Sequence, residues 1–236
     1  MCTLTFFPLL AEENSFIFTS SRDESIHRPT LAPQHYFEDE VDLYYPKDKI
    51  AGGTWVGFSS QQRLVCLMNG GFESHQRKST YKLSRGVVVK EALKTDEIQD
   101  FFESFDLKGV EPFTLISIDY KKQLQIWRWV WDGKKKHLFA EAIKPQIWSA
   151  AMTYNPQQRK EREQYWEEFL KSHQNIAEKE IWDFHHQKRG DLIIDRGELK
   201  TTSITQAVIK LNQKTLQFEE LSSKEISLLE INPSSV

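Results

Sequence analysis

Met1-Cys2-Thr3-Leu4-Thr5-Phe6-Phe7-Pro8 and, after a polar interval, Ser15-Phe16-Ile17-Phe18-Thr19-Ser20-Ser21-Arg22-Asp23-Glu24 decide how this chain is read. Residues 2–8 and 15–20 are short apolar runs with strand character. Glu12-Glu13-Asn14 between them has turn chemistry, so the two predict a β-hairpin. A charged block, Arg22-Asp23-Glu24, follows and is expected to terminate the second strand. If extended backbone persisted through it, Arg22 and Glu24 would share one face and Asp23 would point to the other. A cysteine at position 2 is chemically special. Once an initiator methionine is removed, one residue carries both a thiol and a free α-amine, and the amine can act as base for its own side chain.

Outward from this hairpin, Gly52-Gly53-Thr54-Trp55-Val56-Gly57-Phe58 predicts a tight turn feeding a strand. Arg63 to Met68 predicts another strand, closed by Asn69-Gly70-Gly71, where glycines allow positive φ or close backbone approach. Arg28-Pro29 and Ala32-Pro33 predict irregular chain. Helices are expected over 84–94 and 96–105, the second with Asp96 as its N-cap and Gln99 three residues on. Strands are expected over 113–120, 123–131, 137–142 and 147–153. Two more helices follow, one opened by Pro156 and running to about Ser172, the other over 177–187. Closing strands fall at 192–194, 203–211 and 215–220. Strands and helices therefore come in segregated runs, which predicts one α+β domain of antiparallel sheets with helices packed outside. A four-layer α-β-β-α sandwich accommodates that order, and so does a two-layer arrangement.

Composition excludes several classes. The chain has 236 residues and a formal charge of −3, without the basic field of a nucleic-acid binder. No apolar run reaches the roughly 20 residues that span a bilayer, and no secretory signal opens the chain, so a cytoplasmic protein without stable membrane insertion is expected. Cys2 and Cys66 are the only cysteines; they form no disulfide framework, and whether they pair is a question of geometry. The histidines, including His185-His186, lack ligand spacing, so no metal is expected. Trp127, Trp129 and Trp131 alternate in one strand and, with Phe72, are either the lining of a ligand groove or one packed sheet face.

Taken together, Met1-Cys2, Ser21-Arg22-Asp23-Glu24 with His27-Arg28-Pro29-Thr30, Gly52-Gly53-Thr54-Trp55-Val56-Gly57, Leu67-Met68-Asn69 and Ser84-Arg85-Gly86 resemble the NRDE family, which includes the transport and Golgi organisation protein 2 homologues. Ser21 stands where the family's name-giving tetrapeptide has Asn. Farther on the match loosens. Ala150 stands where a Leu-Ser-Asn-like segment has Asn, and Thr202 stands where a Gly-Thr-Arg-Ser segment has Arg.

The resemblance implies the four-layer fold of N-terminal nucleophile hydrolases and a small-molecule substrate or ligand of unknown identity. It implies cleavage of a linear amide C–N bond without a cofactor, with Cys2 as nucleophile. Arg22 would stabilise the thiolate, Asp23 orient the amine and Asn69 donate to the oxyanion. Glu24 and Trp55 are assigned to substrate binding, Glu24 alternatively to structure or to the Arg28 neighbourhood. A later Asn of the similar bile-salt-hydrolase and penicillin-acylase group falls near Tyr154 or Asn155, and Asn155 is the candidate. The family also implies two rival readings: a non-enzymatic carrier of haem or lipid, and a descendant that has lost catalysis.

Overall fold

The computed structural model describes residues 3–231, so Cys2 lies outside the described residues. Two seven-stranded antiparallel sheets stack face to face, with helices on both outer surfaces. The first sheet is assembled from both ends of the chain. β1 (Thr3–Pro8) and β2 (Phe16–Ser25) lie at its centre, β10 (Gln146–Ser149) at one edge, and β12 (Leu199–Lys210), β13 (Gln213–Glu220) and β14 (Glu225–Ile231) complete the other side. The short β11 (Asp195–Arg196) pairs with β12. The second sheet is a meander in chain order: β3 (Thr30–Glu38), β4 (Val41–Asp48), β5 (Val56–Ser59), β6 (Arg63–Asn69), β7 (Phe113–Asp119), β8 (Gln125–Trp131) and β9 (Lys136–Glu141).

Three apolar layers hold the stack together, and each follows from strand alternation. Phe16 and Phe18 of β2 face the second sheet and meet Phe58, Leu64 and Ile116 in the inter-sheet core. Ile17, one residue out of phase, faces the other way into a layer with Trp166, Phe169, Ile181 and Phe184 of α3 (Pro156–Ser172) and α4 (Glu178–His185). On the far side, Val65, Leu67, Leu115 and Trp129 pack under α1 (Arg85–Lys94) and α2 (Ile98–Ser104). The architecture is therefore the α-β-β-α sandwich. At about 25 cal/mol per Å² of apolar area removed from water, these layers supply the dominant stabilisation.

Departures from the expected elements have local causes. β2 does not stop before the charged block; it runs to Ser25, because Arg22, Asp23 and Glu24 pair with Ser203, Thr201 and Lys200 of β12. Arg28-Pro29 is irregular chain as expected, but Ala32-Pro33 sits in a strand. β3 is a sheet edge, and its register shifts between Leu31 and Gln34, around Ala32-Pro33, which is where a residue without an N–H is tolerated. Residues 192–194 form no strand and follow a 3₁₀ turn at Arg189–Asp191. β14 was not expected, since Leu228-Leu229 breaks its alternation. α2 is preceded by Glu97 rather than capped by Asp96. On α1 the buried face is Val88, Val89, Ala92 and Leu93. α3 has the expected Pro at its start, with Asn155 and Gln158 forming a capping box.

The tryptophan strand packs one sheet face. Trp129 is buried, packs with its ring tilted against Phe102 at 3.9 Å between centroids, and donates to Ser117 Oγ. Trp131 is buried in the same layer and Trp127 packs against it. Phe72 lies apart, half-exposed against His137 and Phe139. These four residues do not line a common groove.

Candidate active site

A cleft of about 350 Å³ opens between the sheets beside the C-terminal end of β2. Extended backbone through the charged block sets its floor. Arg22 and Glu24 line the cleft, while Asp23 points to the opposite face and is not part of the lining. Arg22 is almost fully buried, with its guanidinium 4.7 Å over the Trp55 ring. One Arg22 nitrogen donates to Asp48 Oδ2 at 2.7 Å and the other to the Arg28 carbonyl at 3.0 Å. Burial pulls the Arg22 guanidinium below its ordinary pKa, opposed by Glu24 and Asp48.

Asp48 is the hinge of this cluster. Its Oδ2 also accepts from Arg28 at 2.7 Å, and its Oδ1 accepts from the N–H groups of Ile50 and Ala51. Glu24 pairs with Arg28 at 3.1 Å. Burial works against its ionisation, but the Ser25 N–H and the two arginines hold its carboxyl below the ordinary range. Glu24 thus lines the cleft and belongs to the Arg28 neighbourhood at once.

Asp23 is held from the helix side. Tyr154 donates its hydroxyl to Asp23 Oδ2 at 3.1 Å, and Thr201 donates to Oδ1 at 2.6 Å. Between Tyr154 and Asn155, it is Tyr154 that reaches Asp23. Asn155 is exposed, accepts from the Gln158 N–H as the cap of α3, and is not part of the cleft lining. Thr202 occupies the register shift of β12, where its hydroxyl donates to the Arg22 carbonyl.

Asn69 ends β6 and lines the cleft with Trp55 and Leu67. Its carbonyl accepts from the Met152 N–H. Gly70 follows at φ 91°, and a Cβ there would lie 2.9 Å from Met152 Cγ, so both positive φ and close approach require glycine. The Trp55 indole N–H is buried and has no hydrogen-bond partner among the described residues. The sheets thus bring Arg22, Glu24, Trp55 and Asn69 to one cleft and leave Asp23 behind Arg22 on the reverse face.

Sequence reasoning missed three residues here. Asp48 lies 26 positions from Arg22, and no local pattern marks it. Glu111, buried in the cleft wall, is bound by Arg77 and Arg85. Arg162 is buried on α3, donating to Thr3 Oγ1, Ser149 Oγ and the carbonyls of Gly190 and Asp191. A signal for Arg162 did exist: it shares the helical spacing of Trp166 and Phe169, the buried stripe of α3.

The other cysteine is separate from this cleft. Cys66 is a free thiol, fully buried in the inter-sheet core, and burial pushes its pKa up to about 12. Among the described residues, no group of three His, Cys, Asp or Glu side chains could hold a metal ion. Among the described residues, no helix is long and apolar enough to cross a membrane.

Two stacked antiparallel sheets between helix pairs, with an N-terminal strand at the centre of one sheet, define the fold of the N-terminal nucleophile hydrolases. Solved structures agree. A variant of conjugated bile acid hydrolase from Clostridium perfringens superposes at a TM-score of 0.63 and 8% identity, covering 100% of this chain and 93% of that one. The Caenorhabditis elegans ortholog of N-acylethanolamine-hydrolyzing acid amidase gives 0.60 and 12%, covering 88% and 92%. Penicillin V acylase from Agrobacterium tumefaciens gives 0.60 and 11%, covering 100% and 87%. No curated protein matches the chain by sequence. Residues 1–187 match the family model described as Transport and Golgi organisation 2, and the chain belongs to that family.

Proposed function

We propose that this protein is a cysteine N-terminal nucleophile hydrolase acting on the C–N bond of a small, non-peptide linear amide. One observation carries the reading. β1 begins one residue after Cys2, Thr3 pairs with Ser21, and the next residue of β2, Arg22, turns its guanidinium into the cleft that Trp55 and Asn69 also line.

In this mechanism Met1 is removed and the α-amine of Cys2 takes the thiol proton. The thiolate sulfur attacks the amide carbonyl carbon, and the Asn69 amide N–H donates to the resulting oxyanion. Such a donor contributes about 3 kcal/mol of transition-state stabilisation. Arg22 favours the thiolate electrostatically. Asp23, held by Tyr154 and Thr201, orients the α-amine from the other face of the strand. The C–N bond breaks as the α-ammonium returns its proton to the leaving amine. Water then cleaves the thioester, releasing a carboxylic acid and restoring the thiol.

The test combines intact-mass spectrometry with amine-release assays on a panel of N-acyl amides of differing chain length. The expected result is a mature chain starting at Cys2, with turnover that disappears in Cys2→Ala. Retention of Met1 in the active protein, or turnover that survives Cys2→Ala, overturns the mechanism.

A further inference from the structure

The charges around the cleft fall into two clusters with different balance. In the first, Arg22 and Arg28 face two carboxylates, Glu24 and Asp48. In the second, Arg77 and Arg85 share a single carboxylate. Arg77 Nε lies 3.1 Å from Glu111 Oε1, and Arg85 Nη2 lies 3.2 Å from Oε2. His75 Nε2 also approaches Glu111 Oε1, at 3.3 Å, so this carboxylate has no spare capacity for either guanidinium. One positive charge at this end of the cleft is uncompensated.

A second feature points the same way. α1 begins here, at Arg85, and its first turn carries no acidic side chain to offset the positive end of the helix dipole. Across the cleft, the Trp55 ring is buried. The walls between are apolar, from Leu67, Leu83 and the Trp55 ring. Arg85 is largely enclosed while Arg77 is mostly exposed, which gives one fixed guanidinium and one that can swing.

We infer that the Arg77–Arg85 end of the cleft binds the head group of a singly charged anionic ligand of the carboxylate class, with the apolar body of that ligand against Leu67, Leu83 and Trp55. A single uncompensated charge selects a monoanion over a dianion, because a second negative charge would meet Glu111 and Glu24 without a cation to match it. Within the proposed amidase function, the preferred substrate would be an amide that also bears a carboxylate. This inference rests on that reading for the cleft being the substrate site, but binding can be measured without turnover.

The experiment is calorimetric titration of the full chain with decanoate, decanamide and decyl phosphate at low and high salt. Decanoate is expected to bind about tenfold more tightly than decanamide, the worth of one charge-assisted contact. It is expected to bind more tightly than decyl phosphate, and to weaken with salt. Arg85→Gln should abolish the preference for decanoate over decanamide, and Arg77→Gln should reduce it. Glu111→Gln, which frees both guanidiniums, should strengthen it, an opposite sign that general destabilisation does not produce. Thermal melts of each variant identify any that fail to fold, and Arg77→Gln, on an exposed side chain, carries the test if the others do. Equal affinity for decanoate and decanamide, no measurable binding of decanoate, tighter binding of decyl phosphate, or a preference unmoved in the folded variants overturns the inference. Cys2→Ala should leave the preference intact. Failure of the amidase reading therefore shows as no turnover by the wild type, or turnover that survives Cys2→Ala, with anion preference retained, and failure of this inference as turnover without that preference.

Discussion

Gly53 and Gly86 are packed backbone to backbone: a Cβ on Gly53 would lie 2.9 Å from the Gly86 carbonyl carbon and 3.0 Å from its Cα. The contact is mutual, since a Cβ on Gly86 would lie 3.2 Å from the Gly53 Cα and 3.0 Å from the Thr54 carbonyl oxygen. It seats the start of α1 against the turn before β5, and both residues line the cleft. Alanine at either position forces backbone apart and is expected to cost about 1–3 kcal/mol, measured as a lower urea midpoint. Gly52→Ala is the control. No atom lies within 4 Å of its Cβ position, so its cost comes only from φ of +70°, about 1 kcal/mol.

Asp48 joins two arginines that share only one other carboxylate, Glu24. Asp48→Asn keeps the shape but removes the charge shared by Arg22 and Arg28, and Arg22 is nearly fully buried. Losing one partner of a buried ion pair costs about 3 kcal/mol or more. Chemical denaturation should show that loss. Any amidase activity should fall with it, because Arg22 loses the group that aims it. An unchanged unfolding midpoint would contradict this role.

His185 is a buried neutral histidine between two hydroxyls, with Thr5 Oγ1 at 2.8 Å from Nε2 and Ser21 Oγ at 2.8 Å from Nδ1. Burial, with Arg162 and His186 nearby, lowers its pKa from 6.5 to about 3. The unfolded chain therefore binds a proton that the folded chain refuses. The stability this confers is present above pH 6.5 and is lost as pH falls from 6.5 toward about 3. At about 1.4 kcal/mol per pH unit, thermal midpoints should drop across that window. His185→Gln should flatten the drop.

Cys66 should resist thiol reagents in the native protein. Its sulfur is fully buried beside Ser20, and the raised pKa leaves almost no thiolate at neutral pH. With two cysteines in the chain, a fast-reacting thiol before unfolding would be Cys2. The check is reagent titration of wild type against Cys66→Ser. Equal fast-phase amplitudes are expected, and loss of the fast phase in Cys66→Ser would contradict the assignment.

Much of the candidate site was legible because it depends on strand period. Alternation alone puts Arg22 and Glu24 on one face and Asp23 on the other once the strand is known to continue. What hid the continuation is that charged residues carry no strand signal; β12 supplies the pairing, and it comes from almost 180 residues away. Trp127, Trp129 and Trp131 were legible as a strand, but which layer they fill depends on where α1 and α2 dock. The edge position that lets Pro33 sit in β3 is likewise a property of the assembled sheet.

The sequence by itself determined the hairpin of β1 and β2, the amphipathic helices, the glycine-bearing turns and the family resemblance, because these rest on periodicity, turn chemistry and motifs within short segments. Only the tertiary structure decided that Asp48 aims Arg22, that Tyr154 and Thr201 hold Asp23, and that Arg77 and Arg85 share one carboxylate. Charge balance and burial belong to groups brought together from distant parts of the chain, and no local pattern encodes which of them meet.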